Sequence, residues 1–221
     1  MTTYIYIPAM TPEMATIANT WNHERIAHGK QAYQIISVDD KGLSKSLRRR
    51  FGSGELSQVA NTDKIYLLSH GIFTPQSGGA LKIGNKRGGE LKPGFIGGLQ
   101  VVGGQYKLYS ADALAKSIEK EGLIKTFVDL RLLCCGAGLA ATHQNNPVLP
   151  YAQRLKNALN SRGYVSVLVT GYLGDVRIGH SEYFAPGETY AHPDTATGRG
   201  LGVKVGQEPY AQSAKNQFVK F

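Results

Sequence analysis

Short apolar runs alternate with longer amphipathic stretches along this chain of 221 residues. The runs are rich in branched and aromatic residues and end at glycine or at polar clusters, which is typical of buried strands. They cover residues 4–7, 31–38, 65–69, 127–133 and 164–170. The alternation of such strands with helical stretches predicts an α/β sandwich, in which helices flank a mostly parallel central sheet.

Three helices are predicted where a suitable first residue precedes an apolar stripe. Thr11 and Pro12 suit the N-cap and the first position of a helix that follows the first strand. Ser110 is a good N-cap for a second helix. Residues 151–160 predict a third helix, because their leucines recur on one face.

Two segments do not follow this alternation. Residues 71–106 contain four glycine pairs, which predict hairpins or a lid next to a functional site. In residues 171–221, turn signals separate short alternating segments, which predicts a flap and hairpins at the C-terminal end. We find no linker and no repeat, so we predict a single domain over residues 1–221.

The only two cysteines, Cys134 and Cys135, are adjacent in the sequence. A disulfide between neighbours is strained, so the pattern excludes a disulfide scaffold. One adjacent pair does not supply a tetrahedral zinc site, and paired CxxC or HExxH spacings are missing, so we expect no metal. What remains is a free thiol with a chemical or a packing role.

Net charge is +9, which favours polyanions as partners, from nucleic acid to phosphorylated ligands or an anionic surface. The alternative is a solvated basic face, and the densest basic cluster, residues 48–50, allows either interpretation. No apolar run approaches a membrane span, and no secretory signal is visible. We therefore expect a soluble protein, cytoplasmic or delivered into a target cell without a cleavable signal peptide.

Two of the predicted strands end in residues that carry chemistry. The run at 65–68 stops before His70, and the run at 127–133 stops at the two cysteines. The carboxyl ends of parallel strands meet at one edge of a sheet, so we expect a histidine and a cysteine to lie together there. A thiol nucleophile needs such a base to take its proton and to return it to a leaving amine. The pairing favours a cysteine peptidase.

Cys135 is the better candidate for the nucleophile. Side chains alternate along a strand, and Cys134 directly continues the apolar run, whereas Cys135 lies where the chain turns into Gly136. The backbone N–H groups of Gly71 and Cys135 are candidates for an oxyanion hole. Taken singly, a strand-end cysteine is usually a small apolar core residue, and His70 would be an ordinary satisfied histidine. His143 is a reserve candidate for the base.

Three motifs together resemble a known group of enzymes. They are Ser69-His70-Gly71, the helix start at 109–114, and the strand end at 132–136. The sequence resembles the caspase-like clan of cysteine peptidases, and within it the autoprocessing cysteine protease domains of large bacterial toxins. The resemblance implies a caspase-like sandwich with a C-terminal β-flap, and it makes His70 the catalytic histidine and Cys135 the nucleophile. It also implies cleavage of a protein or peptide substrate after leucine, with self-cleavage.

The resemblance further implies how such a protein is regulated. The toxin domains require no cofactor but are activated by inositol hexakisphosphate, which is held in a basic pocket partly on the flap. Four residues fall in the corresponding region: Arg177, His180, Arg199 and Lys204. An anionic small-molecule activator is therefore expected, nucleic acid is not, and the protein would be an effector or a toxin domain.

Two other functions remain open. A catalytically silent caspase-like module could bind a polyanion or a protein partner through its basic surface. A different hydrolase or an acyltransferase could use the same dyad. Neither a GxSxG elbow nor a P-loop occurs in the sequence, which disfavours serine hydrolases and nucleotide hydrolases.

Overall fold

A computed structural model describes residues 1–8, 12–37, 54–71, 96–101, 105–143, 146–178, 201–204, 212–214 and 217–221. Its three helices are α1 (Pro12–Ala27), α2 (Ala111–Lys120) and α3 (Tyr151–Asn160). Its strands are β1 (Thr3–Ile7), β2 (Gln34–Ser37), β3 (Lys64–Leu68), β4 (Ile96–Val101), β5 (Gln105–Tyr109), β6 (Asp129–Leu133), β7 (Ala141–His143), β8 (Asn146–Val148), β9 (Leu168–Tyr172), β10 (Asp175–Ile178), β11 (Leu201–Lys204), β12 (Gln212–Ser213) and β13 (Phe218–Lys220).

Six strands form the main sheet, in the order β2-β1-β3-β6-β9-β13. The first five are parallel to one another, and β13 pairs with β9 in the antiparallel direction. The prediction of an α/β fold with a mostly parallel sheet flanked by helices is confirmed. The five parallel strands define a carboxyl edge and an amino edge of the sheet.

Three predicted strands begin later than their apolar runs suggest, and the last of them shows the largest difference. The run at 164–170 becomes a strand only at Leu168, and β9 continues to Tyr172. Tyr164 is fully buried, and its hydroxyl donates to the Leu123 carbonyl at 3.0 Å. An apolar side chain can therefore fill the core from a turn, and its burial alone does not predict strand backbone.

Helices cover both faces of the sheet. Helix α1 packs on one face, where Trp21 lies against β3, and α2 and α3 pack on the other. The chain goes from β1 to β2 in one direction along the sheet and from β3 to β6 and β9 in the other. Right-handed crossovers in opposite directions place their helices on opposite faces. The order reverses between β1 and β3, and ligands in such sheets bind outside the carboxyl ends at that point.

Three small antiparallel sheets extend this core. Strands β4 and β5 pair as a hairpin in the glycine-rich segment, β7 pairs with β8, and β10, β11 and β12 form a three-stranded sheet. Val203 of the three-stranded sheet and Ala214, directly after β12, belong to the core on the α1 face. None of the helices in the described part of the chain is both long and apolar enough to cross a membrane.

Candidate functional site

The strand ends with His70 and Cys135 lie side by side. Leu68 of β3 pairs with Leu133 of β6, and each candidate residue follows two positions later. The Ser69 amide continues the ladder by donating to the Leu133 carbonyl at 3.3 Å. The structure thus brings both predicted residues to the carboxyl edge on adjacent strands.

Gly71 packs directly on the backbone of Cys135. A Cβ atom built on Gly71 would lie 2.1 Å from the Cys135 carbonyl oxygen and 2.3 Å from its nitrogen. Such distances are far inside van der Waals contact, so the two strand ends approach this closely only because residue 71 is glycine. The two amides predicted to form an oxyanion hole, those of Gly71 and Cys135, are consequently neighbours.

The two adjacent thiols have different surroundings. Cys134 is buried in the core on the α2 and α3 face, and its Sγ lies 3.9 Å from the Leu67 carbonyl oxygen. Burial raises the pKa of the Cys134 thiol well above its ordinary value, and the neighbouring Cys135 raises it further. Cys135 is partly exposed. A protonated core thiol therefore lies beside one that solvent can reach.

Glu13 contacts the candidate base, which the sequence did not predict. His70 Nε2 and Glu13 Oε2 are 3.0 Å apart, and the two side chains are 39% and 53% exposed, respectively. Glu13 lies in the first turn of α1, which begins at the carboxyl edge directly after β1, and β1 is the neighbour of β3. Its only signal in the sequence was an acidic residue in the first turn of a helix, which the helix dipole favours in any protein.

Backbone hydrogen bonds hold the loop after Cys135 against β9. The Gly136 amide donates to the Gly174 carbonyl and the Gly138 amide to the Tyr172 carbonyl, both at 2.9 Å. Gly136 has φ of +66°, a left-handed conformation that favours glycine. The amides of Gly136 and Gly138 are therefore engaged in main-chain hydrogen bonds.

The predicted anion-binding residues fall only partly within the described chain. Arg177 lies in β10 opposite Gly202, and Lys204 lies in β11 opposite Asp175. Their backbones are therefore close together in the three-stranded sheet. His180 and Arg199 lie outside the described residues, as does the basic cluster at 48–50.

A further group of basic residues lies on the α1 face of the main sheet. The register places Tyr66, Arg131, Thr170 and Lys220 in one row across four strands. Arg131 donates to both carboxylate oxygens of Asp129 at 3.0 Å, and Lys64 Nζ lies 3.7 Å from Asp129. Burial alone would lower the pKa of the Arg131 guanidinium, but the hydrogen bonds to Asp129 raise it by more. The pKa of Arg131 therefore lies above its ordinary value. Sequence patterns missed this group because its members come from three distant strands.

Candidate metal ligands do not cluster in the part of the chain that the structure describes, where no group of three or more His, Cys, Asp or Glu residues could hold an ion. The chain was also compared with known proteins. No protein-family model matches it, and no curated protein matches it at a significant level. The resemblance to caspase-like peptidases therefore depends on the three short motifs.

Proposed function

We propose that the protein is a cysteine endopeptidase with a caspase-like fold, in which Cys135 is the nucleophile and His70 the proton carrier. The observation that carries the proposal is the packing of Gly71 on Cys135, which places the histidine strand end against the cysteine strand end. The partial exposure of Cys135 supports it, because a nucleophile must be accessible to its substrate.

In the proposed reaction, the Cys135 thiol gives its proton to His70 and the sulfur attacks the peptide carbonyl carbon. The amides of Gly71 and Cys135 donate to the oxyanion that forms. His70 then gives the proton to the leaving amine as the C–N bond breaks, which leaves a thioester on Cys135. Water, deprotonated by His70, attacks the thioester and releases the acid and the free thiol.

Glu13 would act as a positioning residue in this reaction. Its carboxylate lies against Nε2 of His70, so Nδ1 is the ring nitrogen that remains for the thiol proton. A carboxylate on one ring nitrogen also stabilises the imidazolium that forms during attack, which is the usual role of the third group behind a nucleophile and its base.

The proposal extends to regulation. Inositol hexakisphosphate would bind to basic residues of the C-terminal segment and activate cleavage after leucine, including self-cleavage, as in effector or toxin domains. The proximity of the Arg177 and Lys204 backbones supports a basic surface in that segment. The Gly174 carbonyl, which accepts from Gly136 beside the nucleophile, directly precedes β10 and connects the two regions.

A matched pair of variants tests the nucleophile. We expect Cys135→Ala to abolish cleavage of a mixed peptide substrate while folding is retained, and Cys134→Ala to keep it. Reaction of the native protein with iodoacetamide should label Cys135, in a manner that depends on His70, and leave Cys134 unlabelled. The assays are run with and without inositol hexakisphosphate. Cleavage that persists in Cys135→Ala would exclude the assignment.

A second candidate is a module that binds a polyanion without catalysis. It is favoured by the basic residues on the α1 face, where Lys64 and Arg131 share the carboxylate of Asp129 and Lys220 lies in the same row as Arg131. We expect this function to show as binding of inositol hexakisphosphate that weakens steeply with salt and with the double variant Lys64→Gln/Lys220→Gln, while Cys135 stays inert. The pair Lys116→Gln/Lys156→Gln, on the opposite helices α2 and α3, is the matched control.

A further inference from the structure

The candidate dyad and the amino terminus of the chain lie at opposite edges of the main sheet. His70 and Cys135 follow the carboxyl ends of β3 and β6, whereas β1 begins at the amino edge, where Thr3 pairs with Lys64. A strand of five residues separates the two edges, a length of about 16 Å at about 3.3 Å per residue.

Partly buried hydrogen bonds hold the amino terminus at its edge. The Thr2 nitrogen donates to Asp63 Oδ1 at 2.6 Å, and the Lys64 amide donates to the Thr2 carbonyl at 3.0 Å. Asp63 is itself buried, and its second carboxylate oxygen accepts from the Ala60 amide at 3.0 Å. These bonds connect the first residues of the chain to the turn before β3.

Strand β1 cannot leave the sheet to bring this end closer to the dyad. It lies between β2 and β3, and its residues 4–7 are buried, three of them completely. Helix α1 covers one side of β1, and the core beneath α2 and α3 lies on the other side. Release of the amino terminus would therefore require unfolding of the sheet that positions His70.

We infer that a peptide bond within a few residues of Met1 is cleaved only by a second molecule, an inference that rests on the proposed peptidase function. Three extended residues reach about 10 Å at most, which is less than the separation of the two edges. The substrate at such a bond is therefore a second copy of this chain. A bond at the end of a tether of about 25 residues can reach the dyad of its own molecule, because that tether spans on the order of 80 Å when extended.

Two fusions of the full chain test the inference. Each carries an unstructured cassette with leucine, acidic, basic and aromatic residues before Met1, joined by a tether of about three or about 25 glycine and serine residues. The rate at which each molecule loses its cassette is followed by mass spectrometry through a tenfold dilution. The same fusions with Cys135→Ala, mixed with unfused active protein, measure cleavage between molecules.

We expect the fractional rate for the short tether to fall about tenfold on tenfold dilution, as for any bimolecular step, and that for the long tether to stay constant. A rate for the short tether that does not change with dilution would overturn the inference and leave the peptidase proposal intact. If neither active fusion loses its cassette and active protein cleaves neither Cys135→Ala fusion, the proposed function fails and the inference fails with it.

Discussion

At the scale of single residues, the main result is the contrast between two adjacent cysteines. Cys134 is in the core, where burial raises its thiol pKa, and Cys135 is partly exposed beside Gly71. Tyr151, which is also buried near Cys134, has a raised pKa, first because of burial and then because of Cys134. Cys134 and Tyr151 therefore both remain uncharged near neutral pH.

The raised pKa of Cys134 predicts a loss of stability at high pH. Below its ordinary value of 9.0 both the folded and the unfolded state keep the thiol proton. Above that value only the unfolded state releases it, so the free energy of unfolding falls by about 1.4 kcal/mol per pH unit until the folded pKa is reached. Urea titrations at pH 8 and pH 10 should show a loss about 1.4 kcal/mol smaller in Cys134→Ala than in the native protein. An equal loss in both would contradict the burial of this thiol.

Glu13 gives a second prediction at this scale. Replacement by glutamine removes the negative charge behind His70 and should lower kcat about tenfold or more, with little change in KM, because the imidazolium loses its partner in the transition state. Glu24→Gln on the same helix is the matched control. A Glu13→Gln variant with native kcat would remove this residue from the mechanism.

At the scale of elements, the site depends on close approach of backbones. Residue 71 must be glycine where β3 meets Cys135, and Gly138 packs in the same way on Gly171, with only 2.5 Å from its built Cβ to the Gly171 oxygen. These contacts join the ends of β3, β6 and β9 through main-chain atoms. The position of the cysteine loop is therefore set by the sheet.

Gly71→Ala tests this junction. The added methyl group overlaps the Cys135 carbonyl, so we expect a stability loss of about 3 kcal/mol together with loss of activity. Gly29→Ala is the control, because Gly29 has φ of +66° but open space around its Cβ position, and should lose only about 1 kcal/mol. Thermal unfolding measures both. Equal effects of the two substitutions would show that the Gly71 contact is not tight in solution.

At the scale of the whole molecule, one sheet is shared by two cores. The larger core lies under α2 and α3, and the smaller lies under α1 and the three-stranded sheet, with β1, β3, β6 and β9 contributing to both. If these shared strands separated in one core, the other core would also be exposed to solvent. This arrangement favours cooperative unfolding of the chain as one domain.

Trp21, the only tryptophan of the chain, provides the probe for that prediction. It is buried in the smaller core, in edge contact with Tyr66. Urea unfolding followed by its fluorescence should coincide with unfolding followed by far-UV circular dichroism, which reports the helices on both faces. Two separate midpoints would show that the α1 side unfolds independently.

The sequence by itself determined the class of fold and the two candidate residues at the strand ends. Local signals were enough here. Parallel strands are buried on both faces, so they appear in the sequence as continuous apolar runs. The start of α2 was predicted from Ser110, whose side chain accepts a hydrogen bond from the Ala113 amide. That His70 and Cys135 share the carboxyl edge followed from a general property of parallel sheets, whereas their position on neighbouring strands was decided by the strand order.

Only the tertiary structure decided which groups contact each other across the chain. Glu13 reaches His70 because β1 is the neighbour of β3, and strand order is not a local property of the sequence. The register of four strands brings Lys64, Arg131 and Lys220 to one face of the sheet, for the same reason. The opposition of the amino terminus and the dyad likewise follows from the direction of β1 within the sheet, a relation between distant segments that no sequence window contains.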